Sequence, residues 1–279
     1  MKANFVMITP LLIILPILGL IGCDKAENTA AICKKNPELC VDLHRDSWCK
    51  IEKDDLIKQR YLIKQQSTSA GKPVYQLLLN LEDYNKCVEL ASGVQHILHP
   101  ERTNDRTRAY GLSSQTLAEL RESTKDNQDP YLSFYHWTRL GDQQAQQRVI
   151  HQQQQGKITD PLILAQLAAY YQKFDIEKAK SIYLSLLETA TPEQFDPNWL
   201  LGLASIYQQQ QDFEKTFLYS KANLLMTNNT ASEQGMSQLI QGDKQLESFL
   251  TKQANQLVEH LNTGDYGSSQ LRLQLHPSS

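Results

Sequence analysis

Apolar and polar positions alternate with a helical period along most of this chain. Apolar residues recur three and four positions apart, the spacing that places side chains on one helix face, at Tyr75, Leu78, Leu79, Leu81, Tyr84, Val88, Leu90, Ala91 and Val94. A charged segment over 48–66 shows the same period, and a loop rich in small residues separates the two. Pro100 interrupts the pattern, and a shorter helix is predicted over 112–120. The chain is therefore predicted to be all-α.

Three Asp-Pro dipeptides mark a regular pattern in the second half of the chain. They begin at Asp129, Asp160 and Asp196, and each precedes an apolar-periodic run. Aspartate accepts hydrogen bonds from free helix amides as an N-cap, and proline fits the first helical position because no donor is needed there. Each dipeptide predicts a helix start, then a tight turn and a second helix. Equivalent positions recur after 34 to 37 residues, as with Leu167 and Leu203.

Units of this length and composition resemble tetratricopeptide repeats over about 130–226. The pattern of that family is matched by Leu167, Ala168, Tyr171, Asp175 and Ala179, and again by Leu203, Ala204, Tyr207 and Asp212. Phe174 and Gln211 replace the turn glycine, and Thr216 replaces a small residue. The resemblance implies a right-handed array of helical hairpins that binds peptides or proteins. Ordinary antiparallel hairpins with coincidental spacing are the alternative.

The predicted organisation follows these patterns. Residues 33–126 form a disulfide-containing helical region, 127–228 the repeats, and 229–264 a capping segment whose amphipathic helix covers 243–261. Residues 265–279 are predicted to be a flexible tail. Within the tail, Gln-Leu-Arg-Leu-Gln-Leu alternates with period two, so a strand added to a partner's sheet is the alternative.

The N-terminus carries a targeting signal. Lys2 precedes an apolar stretch over 5–22 that contains two prolines, which is typical of a secretory signal peptide rather than of a membrane-spanning helix. Leu20-Ile21-Gly22-Cys23 resembles the lipobox of bacterial lipoproteins, which implies cleavage after residue 22 and acylation of Cys23. The acyl chains would insert into the lipid bilayer, and a polar tether over 23–32 would link them to the folded protein. Asp24 resembles the signal for inner-membrane retention, so the predicted location is the periplasmic side of a Gram-negative membrane, with the inner membrane favoured over the outer.

Composition narrows the classes of partner. The 279 residues carry a formal charge of −3, and the pI near 6.2 argues against nucleic acid as a partner. No phosphate-binding glycine loop occurs, so the sequence predicts no nucleotide partner. The hydrophobic fraction of 41% is enough for a folded core.

Four cysteines remain once Cys23 is assigned to lipidation: Cys33, Cys40, Cys49 and Cys87. An even number in an oxidising compartment predicts two disulfide bonds, and the gaps between them do not match zinc spacing. Asn36-Pro37 predicts a helix start at Pro37, with Cys33 in a turn that folds back. We favour Cys33–Cys40 with Cys49–Cys87, although all three pairings stay open.

Two groups of residues are candidates for binding. Arg102, Arg106 and Arg108 lie close together and would grip an anionic group of a lipid or partner; the alternative is a solvated face whose arginines pair with Glu101 and Asp105. The first helices of the repeats carry the aromatic candidates Tyr135, Trp137, Tyr170 and Tyr207. Tyr207 occupies a packing position of the repeat pattern, so Tyr135 and Tyr170 are the residues predicted to be exposed.

Motifs of catalysis are missing from the sequence. His96 and His99 lack the spacing of a metalloprotease, the two Ser-x-x-Lys matches lack their companion motifs, and no Gly-x-Ser-x-Gly occurs. We therefore predict no catalytic residue, no metal site and no cofactor. The predicted function is a non-catalytic adaptor or scaffold with an envelope protein as partner. A peptidoglycan hydrolase with a helical groove and a small-ligand-binding lipoprotein are the alternatives.

The whole layout also resembles an uncharacterised family. Ile-Cys-Lys-Lys-Asn-Pro-Glu-Leu-Cys at 32–40, Leu-Glu-Asp-Tyr-Asn-Lys-Cys at 81–87 and Tyr-His-Trp-Thr-Arg-Leu-Gly-Asp at 135–142 carry the resemblance. That family is one of domain-of-unknown-function lipoproteins from Gram-negative bacteria. The resemblance implies no activity.

Overall fold

The computed structural model describes residues 28–68, 71–227 and 233–276. All regular structure in these ranges is helical, so the prediction of an all-α protein is confirmed. No helix there is long and apolar enough to cross a bilayer. The predicted signal peptide, Cys23 and Asp24 lie outside the described residues.

The α-helices of the described ranges are α1 Thr29–Lys35, α2 Lys50–Gln66, α3 Lys72–Ser92, α4 Pro100–Thr124, α5 Pro130–Leu140, α6 Gln143–Gln154, α7 Pro161–Tyr171, α8 Ile176–Thr189, α9 Asn198–Gln209, α10 Phe213–Met226, α11 Glu233–Leu239, α12 Lys244–Thr263 and α13 Gln270–Leu275.

These helices form an N-terminal bundle followed by hairpins. In the bundle α3 lies between α2 and α4, and α1 packs on α2. Each later pair, α5 with α6, α7 with α8 and α9 with α10, packs as a hairpin, and α12 packs on α10. One hydrophobic core runs without a break from Ile32 in α1 to Leu275 in α13. The two regions therefore share a core rather than being separated by a linker.

Two disulfide bonds brace the bundle, as predicted. Cys33 lies in α1 rather than in a turn; the chain then leaves the helix at Asn36 and turns back through a short 3-10 segment, which brings the Cα of Cys40 to 5.7 Å. Cys49 directly precedes α2 and bonds to Cys87 in α3, with the Cα atoms 5.8 Å apart. This is the pairing that the sequence favoured among three.

The long helix α4 differs from the prediction of a short helix over 112–120. Pro100 stands at its first position, where a proline is tolerated, so this residue begins a helix rather than interrupting one. The face of α4 toward the core carries Arg106, Ala109, Ser113 and Leu117, all buried. Two of these four are polar, and the apolar stripe that would have predicted the full helix is therefore weak.

The aspartate caps explain where the hairpin helices begin. Asp129 accepts hydrogen bonds from two amides at the start of α5, and Asp160 accepts one at the start of α7. The third Asp-Pro pair differs by one residue: α9 begins at Asn198, whose amide donates to the Asp196 carboxylate at 2.9 Å. The helix starts that were predicted from Asp-Pro are otherwise found at the expected residues.

Helical structure covers Tyr266–Ser268 and Gln270–Leu275, where the sequence predicted a flexible tail with a strand as the alternative. Residues 270–275 form α13, because Leu271 and Leu275 lie four apart on one face and are both buried. Arg272 donates to Glu188 of α8 at 2.8 Å. The preceding turn packs so tightly that a Cβ on Gly267 would lie 2.5 Å from the Glu188 carbonyl oxygen. Helical spacing of two leucines therefore outweighs the alternation that suggested a strand.

A buried ring stack holds the end of α13 against the last hairpin. The rings of Tyr207 and Tyr219 are parallel, with centroids 5.5 Å apart, and His276 stacks on both. The Tyr219 hydroxyl lies 2.6 Å from His276 Nε2. Burial, together with repulsion from Lys215, lowers the pKa of His276 from 6.5 to about 4.

Close packing between α8 and α9 predicts the response to one substitution. A Cβ on Gly202 of α9 would lie 2.5 Å from the ring of the buried Tyr183. We expect Gly202→Ala to lower the free energy of unfolding by about 1–3 kcal/mol, as overpacking does. Gly111→Ala in α4 has open space and is the control, expected to be stabilising by about 0.5–1 kcal/mol. Urea unfolding followed by circular dichroism measures both; a stabilising Gly202→Ala would contradict this packing.

The lowered pKa of His276 predicts a loss of stability in mild acid. The unfolded chain binds a proton near 6.5 and the folded chain only near 4, so stability falls as the pH drops between these values. The expected loss between about pH 7 and about pH 5 is roughly 2 kcal/mol. Burial also lowers the pKa values of His44 and His136, which act in the same direction. His276→Phe keeps a ring in the stack but cannot titrate, so urea midpoints at the two pH values should differ less in this variant than in the parent. If the urea midpoint changes equally with pH in the variant and the parent, His276 is not the source of the loss of stability in acid.

Candidate functional site

A row of aromatic rings lies where the ends of α5 and α7 meet. The ring centroids of Trp137 and Tyr170 are 5.5 Å apart, and those of Tyr170 and Phe174 are 4.8 Å apart, with near-perpendicular planes. This edge-to-face arrangement is favourable for aromatic pairs. Phe134 begins the row in the core, whereas Phe174 at its other end is 62% exposed. We call Trp137, Tyr170 and Phe174 the aromatic surface.

Helix ends fix the positions of these rings. α5 ends at Gly141, whose positive φ of 70° suits glycine and whose amide donates to the carbonyls of His136 and Trp137. α7 ends at Tyr171, and the short turn that carries Phe174 leads directly to Asp175, which caps α8. Each ring is therefore placed by a capped helix end rather than by a long loop.

A partly buried polar joint links α5 to α7. The Tyr131 hydroxyl of α5 donates to Asp160 at 2.6 Å, and Lys72 of α3 donates to the same carboxylate oxygen at 3.0 Å. The other Asp160 oxygen accepts from the Leu162 amide at 2.9 Å as the cap of α7. Burial alone would raise the pKa of Asp160, but these hydrogen bonds and the charge of Lys72 hold it below its ordinary value. One carboxylate thus ties α3, α5 and α7 together at the start of α7.

Basic side chains stand next to the aromatic surface. The ammonium group of Lys178 lies 3.9 Å from the ring centroid of Tyr171, a cation–π contact, and 2.8 Å from its hydroxyl. Lys173 is exposed in the turn before Phe174. This combination of ring faces and ammonium groups is suited to apolar side chains and carboxylates of a polypeptide.

The predicted aromatic residues fall into two groups. Tyr135 is fully buried, contrary to the prediction of exposure; its hydroxyl donates to Glu82 at 2.6 Å and accepts from Arg121 at 2.9 Å. Tyr207 is buried, as expected for its packing position, whereas Trp137 and Tyr170 are partly buried and reach the surface. Phe174 was not among the candidates. The sequence feature that could have indicated it is a large aromatic residue at a turn position where the repeat pattern has glycine.

The three predicted arginines do not form one free anion site. Arg106 is only 3% exposed, bonds to Asp46 at 2.6 Å and lies over the ring of Trp48. Arg108 donates to Asp105 and to the Leu43 carbonyl. These two side chains attach the segment before α2 to α4. Arg108 pairs with Asp105 as in the alternative from the sequence, whereas Arg106 is buried and pairs with Asp46, which neither prediction included. Arg102 remains exposed beside His96.

Groups that could hold a metal are engaged in other bonds. Among the described residues, the cluster of possible ligands comprises Cys49, Glu52 and Cys87, and its two sulfur atoms form a disulfide. His96 Nδ1 accepts the backbone amide of His99 at 3.1 Å. Neither arrangement presents a set of free ligands.

An acid-lined groove between α2 and α3 is the feature that a hydrolase would use. It encloses about 440 Å³ and is lined by Glu52, Asp55 and Asp83 among others. The groove is open, and Asp55 and Asp83 are exposed. A general acid normally needs a buried, apolar setting, which these two carboxylates do not have.

Fold and site together define an all-helical protein in which a disulfide-braced bundle carries helical hairpins with an aromatic surface. Residues 20–221 match a family model described as "Protein of unknown function (DUF2989)", and the chain belongs to this family. The match includes the bundle, the joint at Asp160 and the aromatic surface, and it confirms the predicted resemblance to an uncharacterised family. No curated protein and no solved structure matches the chain.

The joint at Asp160 predicts unequal effects of two chemically identical substitutions. Tyr131→Phe removes the hydroxyl that donates to the Asp160 carboxylate, so we expect a loss of about 1.5–3 kcal/mol in the free energy of unfolding. Tyr170→Phe is the control, because its hydroxyl shows no hydrogen bond among the described residues, and the expected change is within about 0.5 kcal/mol. Urea unfolding of both variants measures the difference. Equal losses would show that the joint is not held by this hydrogen bond.

Proposed function

We propose that this protein is a lipid-anchored adaptor on the periplasmic side of a Gram-negative membrane and that its aromatic surface binds an envelope protein. The proposed location rests on the sequence, in which an apolar run is followed by Leu20-Ile21-Gly22-Cys23 and Asp24. The family match begins at Leu20 and so includes this motif. Two disulfide bonds in the bundle suit an oxidising compartment.

The observation that carries the adaptor function is the aromatic surface. Single exposed apolar side chains are common, but here a 62% exposed phenylalanine continues a row of rings that includes a tryptophan and a tyrosine. Aromatic residues of this kind dominate the binding energy of protein interfaces. The rings are already held in place by capped helix ends, so little conformational entropy is lost on binding.

The spacing of the hairpins along the chain supports the same function. The first helices of the three hairpins begin at Pro130, Pro161 and Asn198, close to one repeat length apart. In our proposal α5 to α10 form a short right-handed array, and the aromatic surface lies on the first helices of its first two hairpins and on the turn after the second of these helices. Such arrays bind peptide segments through surfaces that several repeats share.

The chemistry beside the rings defines the class of partner. Lys173 and Lys178 stand near the aromatic surface, and both suit carboxylates. The partner segment we propose is therefore a peptide with a bulky apolar side chain next to acidic residues. The apolar group would pack on Phe174 and Tyr170, and an acid would pair with a lysine.

Site-specific photo-cross-linking in intact cells tests this function. A photoreactive phenylalanine analogue replaces Phe174 in the full chain; a second chain carries it at Phe249 of α12, which is similarly exposed at 56%. We expect an envelope protein to be cross-linked from position 174 and not from position 249. Cross-links of equal yield from both positions, or none from 174 when a known envelope complex is captured in parallel, would contradict the proposal.

Binding of the identified partner then gives a quantitative check. Truncating a central aromatic side chain of an interface costs about 2 kcal/mol or more, so Phe174→Ala should weaken affinity roughly 30-fold. Phe249→Ala is the matched control and should change affinity less than about twofold. Isothermal titration calorimetry measures both variants. An unchanged affinity for Phe174→Ala would exclude the aromatic surface as the binding site.

A further inference from the structure

A second exposed apolar surface lies at the far end of the N-terminal bundle. Ile97 and Leu98 are adjacent in the loop between α3 and α4, and their side chains are 92% and 83% exposed. Leu90 of α3 and Ile51 of α2 are also largely exposed, and Val94 lies between Leu90 and the loop. We call Ile51, Leu90, Val94, Ile97 and Leu98 the apolar end.

The antiparallel order of the bundle brings these residues together. The start of α2, the end of α3 and the start of α4 meet at one end, and the Cys49–Cys87 disulfide links the first two there. Ile51 and Leu90 line the same groove beside Cys87. Ile51 and Leu90 are thus neighbours, and the loop that carries Ile97 and Leu98 follows the end of the same helix as Leu90.

The loop that carries Ile97 and Leu98 is held in place at its base. The His96 amide donates to the Thr103 hydroxyl at 2.9 Å, and the His99 amide donates to His96 Nδ1 at 3.1 Å. These bonds use the polar groups that flank the two apolar residues. Ile97 and Leu98 are left at the tip, without a packing partner that would account for their apolar character.

The chain leading to Cys23 enters the structure at this same end. Asn28, the first described residue, caps α1, and the neighbouring Thr29 hydroxyl donates to Asp54 of α2 at 2.8 Å. Asp54 lies three residues from Ile51, less than one helical turn away. Cys23 stands five residues before Asn28 and can reach at most about 17 Å from it. An acyl group on Cys23 therefore holds the bilayer close to the apolar end.

We propose that the apolar end is a membrane contact surface, with Ile97 and Leu98 inserted into the interface of the bilayer that the acyl chains enter. This inference rests on the proposed lipid anchor at Cys23. The anchor makes the contact effectively intramolecular, so even a small apolar surface is held at the lipid. Charged residues around it have both signs, as with Lys50, Arg102 and Glu101, so apolar burial rather than net charge carries the contact.

This orientation places the apolar end and the joint at Asp160 at opposite ends of α3. The apolar end lies at its C-terminus, and Lys72, which joins the hairpins through Asp160, lies at its N-terminus. The helix has 21 residues and is therefore about 30 Å long. A bundle seated on the membrane by the apolar end would hold the joint at Asp160, where α7 begins, away from the headgroups.

Depth-dependent quenching of a new tryptophan tests the contact. Full-chain acylated protein is reconstituted into phosphatidylethanolamine and phosphatidylglycerol vesicles, with or without bromine on the acyl chains. Leu98→Trp reports on the loop, and Phe249→Trp, at an exposed position in α12, is the matched control. We expect the bromines to quench Leu98→Trp more than the parent, most strongly when they lie near the headgroups, and to leave Phe249→Trp at the parent level.

Flotation of the same vesicles separates the two proposals. The acylated chain should float with the vesicles. If it does not float, the proposed lipid anchor is wrong, and the proposed membrane contact, which rests on the anchor, is wrong with it. If the chain floats but Leu98→Trp is quenched no more than the parent, the anchor stands and the apolar end is not a membrane surface. Equal added quenching of Phe249→Trp would also overturn the inference, since no particular end would then face the lipid. Circular dichroism confirms that both variants are folded.

Discussion

The packing of α3 against α5 is the contact on which the rest of the structure depends. Tyr75 of α3 lies among the rings of Tyr131, Phe134 and Tyr135, with centroids 5.9 to 6.5 Å apart. Beside these rings, the Tyr135 hydroxyl donates to Glu82 and Lys72 donates to Asp160, so two hydrogen bonds to charged groups flank the apolar contact. α4 also holds α5, because Arg121 donates to the Tyr135 hydroxyl at 2.9 Å and the Thr124 hydroxyl lies 3.0 Å from His136 Nε2. The position of the first hairpin therefore follows from α3 and α4 together.

Local signals in the sequence predicted the helices well where a cap or a clear stripe was present. Asp-Pro pairs predicted the starts of α5 and α7, since a capping carboxylate and a proline act within a few residues of each other. α4 was underestimated because Arg106 and Ser113 face the core, where their hydrogen bonds replace apolar packing. These hydrogen bonds need Asp46 and Asn85, which are distant from α4 in the chain. The local sequence pattern of α4 therefore could not predict them.

Exposure was harder to predict than helix position. Tyr135 and Trp137 lie two residues apart on α5 and differ in burial because α3 covers one side of that helix and not the other. The sequence contained both aromatic residues but not the packing of α3 on α5. Similarly, Leu271 and Leu275 could not be assigned to a helix until α8 and α12 supplied a surface for them to cover. Periodicity indicates which residues share a face, whereas tertiary contacts decide which face is buried.

We propose two working surfaces in this molecule: the apolar end for lipid and the aromatic surface for a protein partner. Hydrogen–deuterium exchange of the full chain in native membranes, compared with the purified chain in detergent-free vesicles, tests this division most directly. The loop over 93–99 should be protected in both samples, and the turn over 172–175 should gain protection only in native membranes, where a partner is present. Exchange in the turn that is identical in the two samples, together with an unprotected loop, would contradict both proposed surfaces.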